Sequence, residues 1–372
     1  VEYVAVSPRL PFGWHEGSDT LHVWMTGSEW YGTARGGLSR YFSDLYGALS
    51  LRSDVQVDAW AFGEPDNGAN TWGPAIGGTF ARYRSARTSP PPTADVVDRH
   101  FALYGPPPPR NAVLVTHFHG PWAMESAAAG EPAINVAIKR LIERARYRSS
   151  DRFIVLSRQF ADVLVGSYGV SPEAISVIPP GVDLQRFAPS ALPDCPPRVL
   201  CVRRLERRMG IDILLDAWPK VLASMPDAQL DIVGKGSVSI ELADQIETLS
   251  IGRSVTMHGE VTEEQLRDAY RAATVTVVPS RALEGFGLIA LESLASGRAP
   301  IVTDVGGLPD SVRGLAPDLV VPACDPEQLA TRLIAALRGE RPGVDDCRAH
   351  AETFSWETCA AAHLDVYREL VR

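Results

Sequence analysis

Only three of the 36 basic residues in this 372-residue chain are lysines (Lys139, Lys220 and Lys235), and none sits in an obvious cofactor motif. The five cysteines (Cys195, Cys201, Cys324, Cys347 and Cys359) are odd in number and show no CxxC spacing. That pattern excludes a disulfide framework and a structural zinc site, and it points to a reducing cytoplasm. No apolar run reaches membrane-spanning length. No GxGxxG follows the first strand-like run of either half, which removes a dinucleotide-binding oxidoreductase. The opening segment, VEYVAVSPRLPF, lacks a basic n-region and a long apolar h-region, so it reads as a first strand rather than a signal peptide.

Charge is short on one side only. Residues 1–180 carry 16 basic and 17 acidic side chains, and the remainder 20 and 28. An acidic second half argues against a nucleic-acid partner. The length suits two domains of ordinary size.

The second half alternates strand-like and helical runs. Strands are expected in 198–205, 228–234, 275–280, 299–306 and 318–323, and helices in 210–225, 238–250, 263–273, 288–296 and 326–339. This alternation predicts a parallel sheet covered on both faces. In the first half, strands are expected in 55–62, 111–119, 152–157 and 174–181, with helices in 37–49, 133–146 and 158–169. Two α/β domains of the doubly wound kind follow. Prolines and a glycine in IPPGVDLQRF (178–187) place the boundary, giving 1–182 and 183–355. Residues 11–36 and 86–110 read as loops or lids. Ser355 caps a last helix, 356–370.

The chemistry concentrates around SRALEGFGLIALESLASGRAP (280–300). A buried strand, VTVVPS, leads through glycines into a helix that Gly297 ends. Such a helix start offers unpaired N–H groups and the positive end of a dipole. Glu292 lies four residues into the helix, roughly 6 Å along its axis from Leu288. That spacing fits a diphosphate at the helix start, a ribose diol at Glu292 and a sugar near Glu284. The plainer reading makes Glu292 a solvent-facing residue and the glycines turn formers. A second cluster, VRRLERRMG (202–210), brings Arg203, Arg204, Arg207 and Arg208 to the end of a strand, where guanidinium groups suit phosphate. DIVGKG (231–236) ends another strand in Gly-x-Gly, and alone is a weak signal.

Together these segments resemble the retaining glycosyltransferases of family 4. The resemblance rests on Glu284…Glu292 as E-x7-E, Arg204-Leu205…Gly210, VGKG (233–236), HGEVTEEQL (258–266), VTDVGGLPDSV (302–312), RGGLSRYFSDL (35–45), THFH with GPW (116–122), VLSRQFADVL (155–164) and PPGVDLQRF (179–187). It spans nearly the whole chain. It implies the GT-B fold, in which two Rossmann-like domains face each other across a cleft and the C-terminal helix (356–372) crosses back to the N-terminal domain. The N-terminal domain would bind acceptor and the C-terminal domain the nucleotide-sugar donor.

The resemblance also assigns roles. Glu292 would hold the ribose hydroxyls, Glu284 would lie beside the donor sugar, and Phe286, Gly287, Leu288 and Ile289 would present N–H groups to sugar and diphosphate. Arg204 would neutralise the leaving diphosphate, and His119 would contact the donor sugar. Gly36 and Gly37 would approach the diphosphate from the first domain, and Gly234 would belong to the donor site. Where the family usually has Lys before Gly210, this chain has Met209, and Arg208 is expected to stand in. Donors would be UDP-sugars, with GDP-sugars next, and acceptors a small molecule, a glycan or a lipid. A sugar-nucleotide epimerase and a silent nucleotide-sugar or glycan binder are the rival readings. A phosphorylase would need a pyridoxal-binding lysine.

His117 and His119 share one strand face. With no third ligand evident, His117 reads as packing or hydrogen-bonded support, and neither metal nor cofactor is expected. Trp14, Trp30 and Trp122 read as sugar-stacking platforms or as buried anchors. The basic helix 133–148 reads as a solvated face, or as a surface for an anionic acceptor or a membrane at which a cytoplasmic protein would be peripheral.

Overall fold

The computed structural model describes residues 20–66, 68–88, 92–194 and 196–372. The opening segment read as a strand, Trp14, Cys195 and part of the SPPP stretch lie outside them. The strands of the first sheet are β1 (Leu21–Glu29), β2 (Val55–Phe62), β3 (Asn70–Thr71), β4 (Val96–Arg99), β5 (Val113–Phe118), β6 (Arg152–Val155) and β7 (Ile175–Val177). Its helices are α1 (Gly37–Ser50), α2 (Thr79–Thr88), α3 (Trp122–Ala128), α4 (Ala133–Tyr147) and α5 (Arg158–Val163). The second sheet holds β8 (Arg198–Val202), β9 (Gln229–Val233), β10 (Val255–Gly259), β11 (Val275–Val278), β12 (Pro300–Thr303) and β13 (Val320–Val321). Around it are α6 (Ile211–Ser224), α7 (Ser239–Thr248), α8 (Glu263–Ala272), α9 (Leu288–Ala295), α10 (Leu308–Val312), α11 (Pro326–Leu337) and α12 (Val344–Glu352), and α13 (Trp356–Val371) ends the chain.

Strand order is β3-β2-β1-β4-β5-β6-β7 in one sheet and β10-β9-β8-β11-β12-β13 in the other. The first six strands of each sheet follow the doubly wound 3-2-1-4-5-6 order, with the order reversing beside β1 and β8. β1 pairs in parallel with β2 and β4, and β8 with β9 and β11. Buried strands of this kind need apolar residues on both faces. Val275, Val277 and Val278 of β11 meet that demand with no measurable exposure.

Two expectations are corrected here. The stretch 11–36 is not all loop, since Leu21–Glu29 forms the nine-residue central strand β1. Within 86–110, Val96–Arg99 forms β4, buried at all four positions. Strand β10 and helices α2, α3 and α12 also go beyond the runs expected.

Compactness divides the chain into two units. One holds the described residues up to His117 with Ala145–Ile154 and Ala360–Arg372; the other holds Phe118–Arg144 and Val155–Cys359. In the first, the end of α13 is anchored by Arg368 to Asp54, by Glu369 to Arg152 (2.7 Å), and by His363 to the Tyr41 hydroxyl (3.2 Å). Trp30 is fully buried there, its Nε1 donating to the Asn70 carbonyl at 2.9 Å and its ring 5.0 Å from Phe42. It is a core anchor rather than a sugar platform. In the second, Trp218, Leu214 and Leu215 of α6 pack with Leu329 and Leu333 of α11 over β8 and β9. Ser355 caps α13 as expected, its Oγ accepting from the Thr358 N–H at 3.1 Å.

Candidate functional site

In the second unit, the reversal of strand order between β8 and β11 opens a crevice at the carboxyl ends of the strands, where doubly wound sheets bind ligands. The chain leaving β8 carries Arg203 and Arg204. The chain leaving β11 carries Ser280 and Glu284, and then enters α9. The fold alone therefore brings the two sequence clusters together.

Extended backbone alternates its side chains, and here it parts the two arginines. Arg203 turns inward and is buried; Arg204 is exposed. Arg203 Nη2 pairs with Glu284 Oε2, donates to Ser280 Oγ at 2.6 Å and lies 2.7 Å from Met209 Sδ. Ser280 Oγ in turn donates to Glu284 Oε2 at 3.1 Å. Burial pushes the Glu284 carboxyl up, but Arg203's charge and hydrogen bond, with Arg208 behind them, outweigh it and hold the group below the usual glutamate range. The guanidinium against Met209 thus belongs to Arg203. Arg208, the expected stand-in for the missing lysine, donates instead to the Leu283 carbonyl (3.0 Å) and pairs with Glu125 (3.2 Å). Leu283 itself has φ 56°, a left-handed backbone rare outside glycine, so this loop is held in a strained form. The Arg204 side chain makes no hydrogen bond or ion pair with any described residue.

Helix α9 begins after Gly287, at φ 91°. Among the described residues, no carbonyl or side chain accepts a bond from the backbone N–H groups of Phe286, Gly287, Leu288 or Ile289. A helix start leaves such donors for side-chain caps, water or an anion, and α9 has no side-chain cap. Glu292 is 5% exposed, so the solvent-facing alternative is wrong. Its Oε2 accepts from the Tyr270 hydroxyl at 2.9 Å. No sequence pattern pointed to Tyr270, which lies on α8, a different helix.

The glycines serve the same crevice by close backbone packing. A Cβ on Gly306, at φ 63°, would lie 1.8 Å from the Glu284 carbonyl oxygen. Gly234, expected in the donor site, donates its N–H to the Gly259 carbonyl at 2.8 Å, and a Cβ there would fall 1.8 Å from the Arg203 carbonyl. Its N–H is therefore engaged, and the residue lets β9 approach the Arg203 turn. His119 follows β5, half-buried, and its carbonyl lies 3.6 Å from the Cβ position of Gly285, next to Glu284.

In the first unit, Gly36 caps α1 with extended backbone and Gly37 opens the helix; a Cβ at Gly36 would meet nothing within 4 Å. The same unit holds a buried polar cluster that sets a further imidazole, His100, beside His117, where the sequence had shown no third ligand. His117 Nε2 lies 2.8 Å from Asp98 Oδ1, His100 Nε2 lies 2.9 Å from Asp98 Oδ2, and the two rings stack at 3.8 Å. The packing expected of His117 is thus visible, its buried ring stacked on His100 and set against the Asp98 carboxylate. Burial pushes His117 down to about 4, against the pull of the Asp98 carboxylate. A histidine held neutral in the fold takes up its proton more readily when unfolded. Its contribution to stability is therefore complete above about pH 6.5 and falls as pH drops toward 4. Thermal melts should show a lower Tm at pH 5 than at pH 7.5, and His117→Asn should flatten that difference; an unchanged slope in the variant would contradict this.

Two parallel sheets in this order, flanked by helices and carrying arginines and an E-x7-E loop at the switch point of the second, are those of a GT-B glycosyltransferase. Residues 35–186 match glycosyltransferase family 4, and residues 184–353 match glycosyl transferases group 1. A D-inositol 3-phosphate glycosyltransferase of Catenulispora acidiphila is 32% identical over 325 residues, covering 80% of this chain and 77% of that one. Its namesake in Streptomyces bingchenggensis is 33% identical over 282 residues, covering 70% of this chain but only 62% of its own length. The chain belongs to glycosyltransferase family 4. Among solved structures, sucrose-phosphate synthase from Thermosynechococcus elongatus superposes with a TM-score of 0.76 at 24% identity, over 94% of this chain and 99% of that one. An Anabaena protein solved with UDP-glucose gives 0.70 at 15% identity, over 94% and 100%.

Proposed function

We propose that the protein is a retaining glycosyltransferase. It moves a sugar from a nucleoside diphosphate sugar, with uridine as the favoured base and guanosine next, to a hydroxyl of a small-molecule, glycan or lipid acceptor. Four N–H groups at the start of α9 that no described residue engages, one turn before the buried Glu292, carry the reading. Family membership supports it, as does a fold neighbour solved with UDP-glucose.

The diphosphate sits at the α9 N-terminus, where the N–H groups of Phe286 to Ile289 and the helix dipole take its charge. Glu292, oriented by Tyr270, holds the ribose hydroxyls. Glu284 faces the donor sugar with its charge fixed by Arg203. Arg204 supplies positive charge to the leaving diphosphate, and Arg208 supports the loop through the Leu283 carbonyl. A phosphate oxygen takes the acceptor's proton as the hydroxyl attacks from the face the diphosphate leaves. The protein's share is positioning and charge stabilisation, without a metal or a general base. His119 touches the donor sugar. We place the enzyme in the cytoplasm, with no nucleic-acid partner.

Glu292→Ala tests the assignment. Losing hydrogen bonds to a charged group should weaken UDP binding by about 1–3 kcal/mol, read by calorimetric titration. Affinity equal to wild type would remove Glu292 from the site.

A further inference from the structure

Strand β4 ends in a buried cation for which the described residues supply no counter-charge. The register of the first sheet sets Arg99 between Thr26 of β1 and Thr116 of β5. Registered neighbours on parallel strands share a face, so these three side chains stand on the face opposite Asp98 and its histidines. Arg99 is 1% exposed and Thr26 2%. Among the described residues the Arg99 guanidinium makes no hydrogen bond and no ion pair, and its Nη1 is buried without a partner, as is Thr26 Oγ1. The Thr116 hydroxyl, by contrast, meets Ser150 Oγ at 2.7 Å.

A second cation stands beside it. Arg146 of α4 directs its donors to carbonyls, Nε to Ala102 at 2.6 Å and Nη2 to Tyr104 and Gly105 at 3.3 Å each. It too has no ion-pair partner among the described residues. These carbonyls lie on the connection from β4 to β5, which contains neither helix nor strand. A Cβ on Gly105 would fall 3.5 Å from Thr26 Oγ1, so the Arg146 fork holds a roof over that hydroxyl. Burial, and after it the charge of Arg146, pushes the Arg99 guanidinium down to about 9, which leaves it charged at neutral pH. The carboxylates of β1 and β4 are engaged elsewhere. Glu29 pairs with Arg82 at 2.5 Å and takes the Ser28 hydroxyl at 2.7 Å, and Asp98 faces the two histidines.

We propose that Arg99, Arg146 and Thr26 form an anion site of the first unit's own, which takes a phosphate group, either the free ion or the end of an organic phosphate. A dianion matches the two positive charges, the guanidinium forks present donors to its oxygens, and Thr26 adds an O–H. Water would satisfy the orphaned atoms yet leave two like charges unneutralised away from solvent, which is costly. Chloride brings half the charge and a single acceptor atom. The site uses none of the donor-site residues, so it stands or falls apart from the donor reading.

Thermal melts of the full chain, dialysed free of phosphate, test this in about 10 mM inorganic phosphate against chloride of matched ionic strength. Wild type should gain about 3 °C or more in phosphate. Arg99→Met keeps the aliphatic stem. It should melt at or above wild type in chloride, because a lone buried cation has gone, and gain nothing from phosphate. Thr26→Val keeps the side-chain shape and should show a reduced gain. Both variants should keep wild-type UDP affinity. Melts in glycerol 3-phosphate separate the sources: a gain larger than that from inorganic phosphate assigns the site to an organic phosphate, and a smaller one to the free ion. No gain in wild type overturns the proposal. So does an equal gain in Arg99→Met, which would put the phosphate elsewhere, as at the start of α9, or a full gain in Thr26→Val.

Discussion

Arg203→Met should lower the melting temperature by roughly 10 °C, on the basis of about 3–5 kcal/mol for leaving a largely buried ion-pair partner alone and about 2–4 °C per kcal/mol for a domain of about 150–250 residues. The substitution keeps the aliphatic bulk but removes the guanidinium that pairs with Glu284, meets Ser280 and lies on Met209. Glu284, largely shielded from water, would keep one hydroxyl donor, and its carboxyl would rise toward protonation. The pair also fixes the loop that leads into α9, through Gly307 N–H to the Glu284 carbonyl at 3.1 Å. Donor turnover should therefore fall with stability. Adding Glu284→Gln should recover part of the Tm, because the lone, largely shielded charge is then gone, without restoring turnover. A single variant that melts like wild type would mean that Arg203 and Glu284 do not depend on each other.

Arg204→Ala should behave in the opposite way. The side chain is exposed and bound to no described residue, so stability should change by no more than about 0.5 kcal/mol. Turnover should fall by about 10²–10³-fold if the guanidinium takes up charge as the diphosphate departs, the size seen when one such donor is removed from other enzymes. The assay is UDP release from a UDP-sugar, with and without acceptor, under saturating donor. The drop should appear in kcat rather than KM, since the interaction strengthens as the bond breaks. Turnover within twofold of wild type would refute the leaving-group role. Neighbouring arginines at one strand exit thus carry opposite signatures, one in Tm and the other in kcat.

The second half was largely legible because its strands are short apolar runs and its helices amphipathic, each signal long enough to stand out. Strands β8, β9, β11, β12 and β13 all fall inside the expected runs. β4 escaped because a four-residue strand ending in Asp98 and Arg99 does not look apolar; its Asp98 is buried where His117 of the next strand and His100 of the following loop meet it. β1 escaped because its neighbours are rich in glycine and charge, so composition suggested a loop. In the site, Glu284 and Glu292 could be read from a strand, a glycine loop and a helix in sequence. Which arginine turns inward could not, because Arg203 and Arg204 differ by one residue of alternation, and only the packed sheet sets its phase. The contact of Tyr270 with Glu292 joins two helices 22 positions apart in sequence and leaves no local pattern.

The central claim is that the start of α9 and Glu292 hold a nucleoside diphosphate. Calorimetric titration of wild type and Glu292→Ala with UDP, GDP, ADP and dTDP, without added metal, tests it most directly. The account predicts saturable binding, tightest for UDP, and the loss already stated for the variant. No binding of any of the four, or equal binding by both proteins, would contradict it.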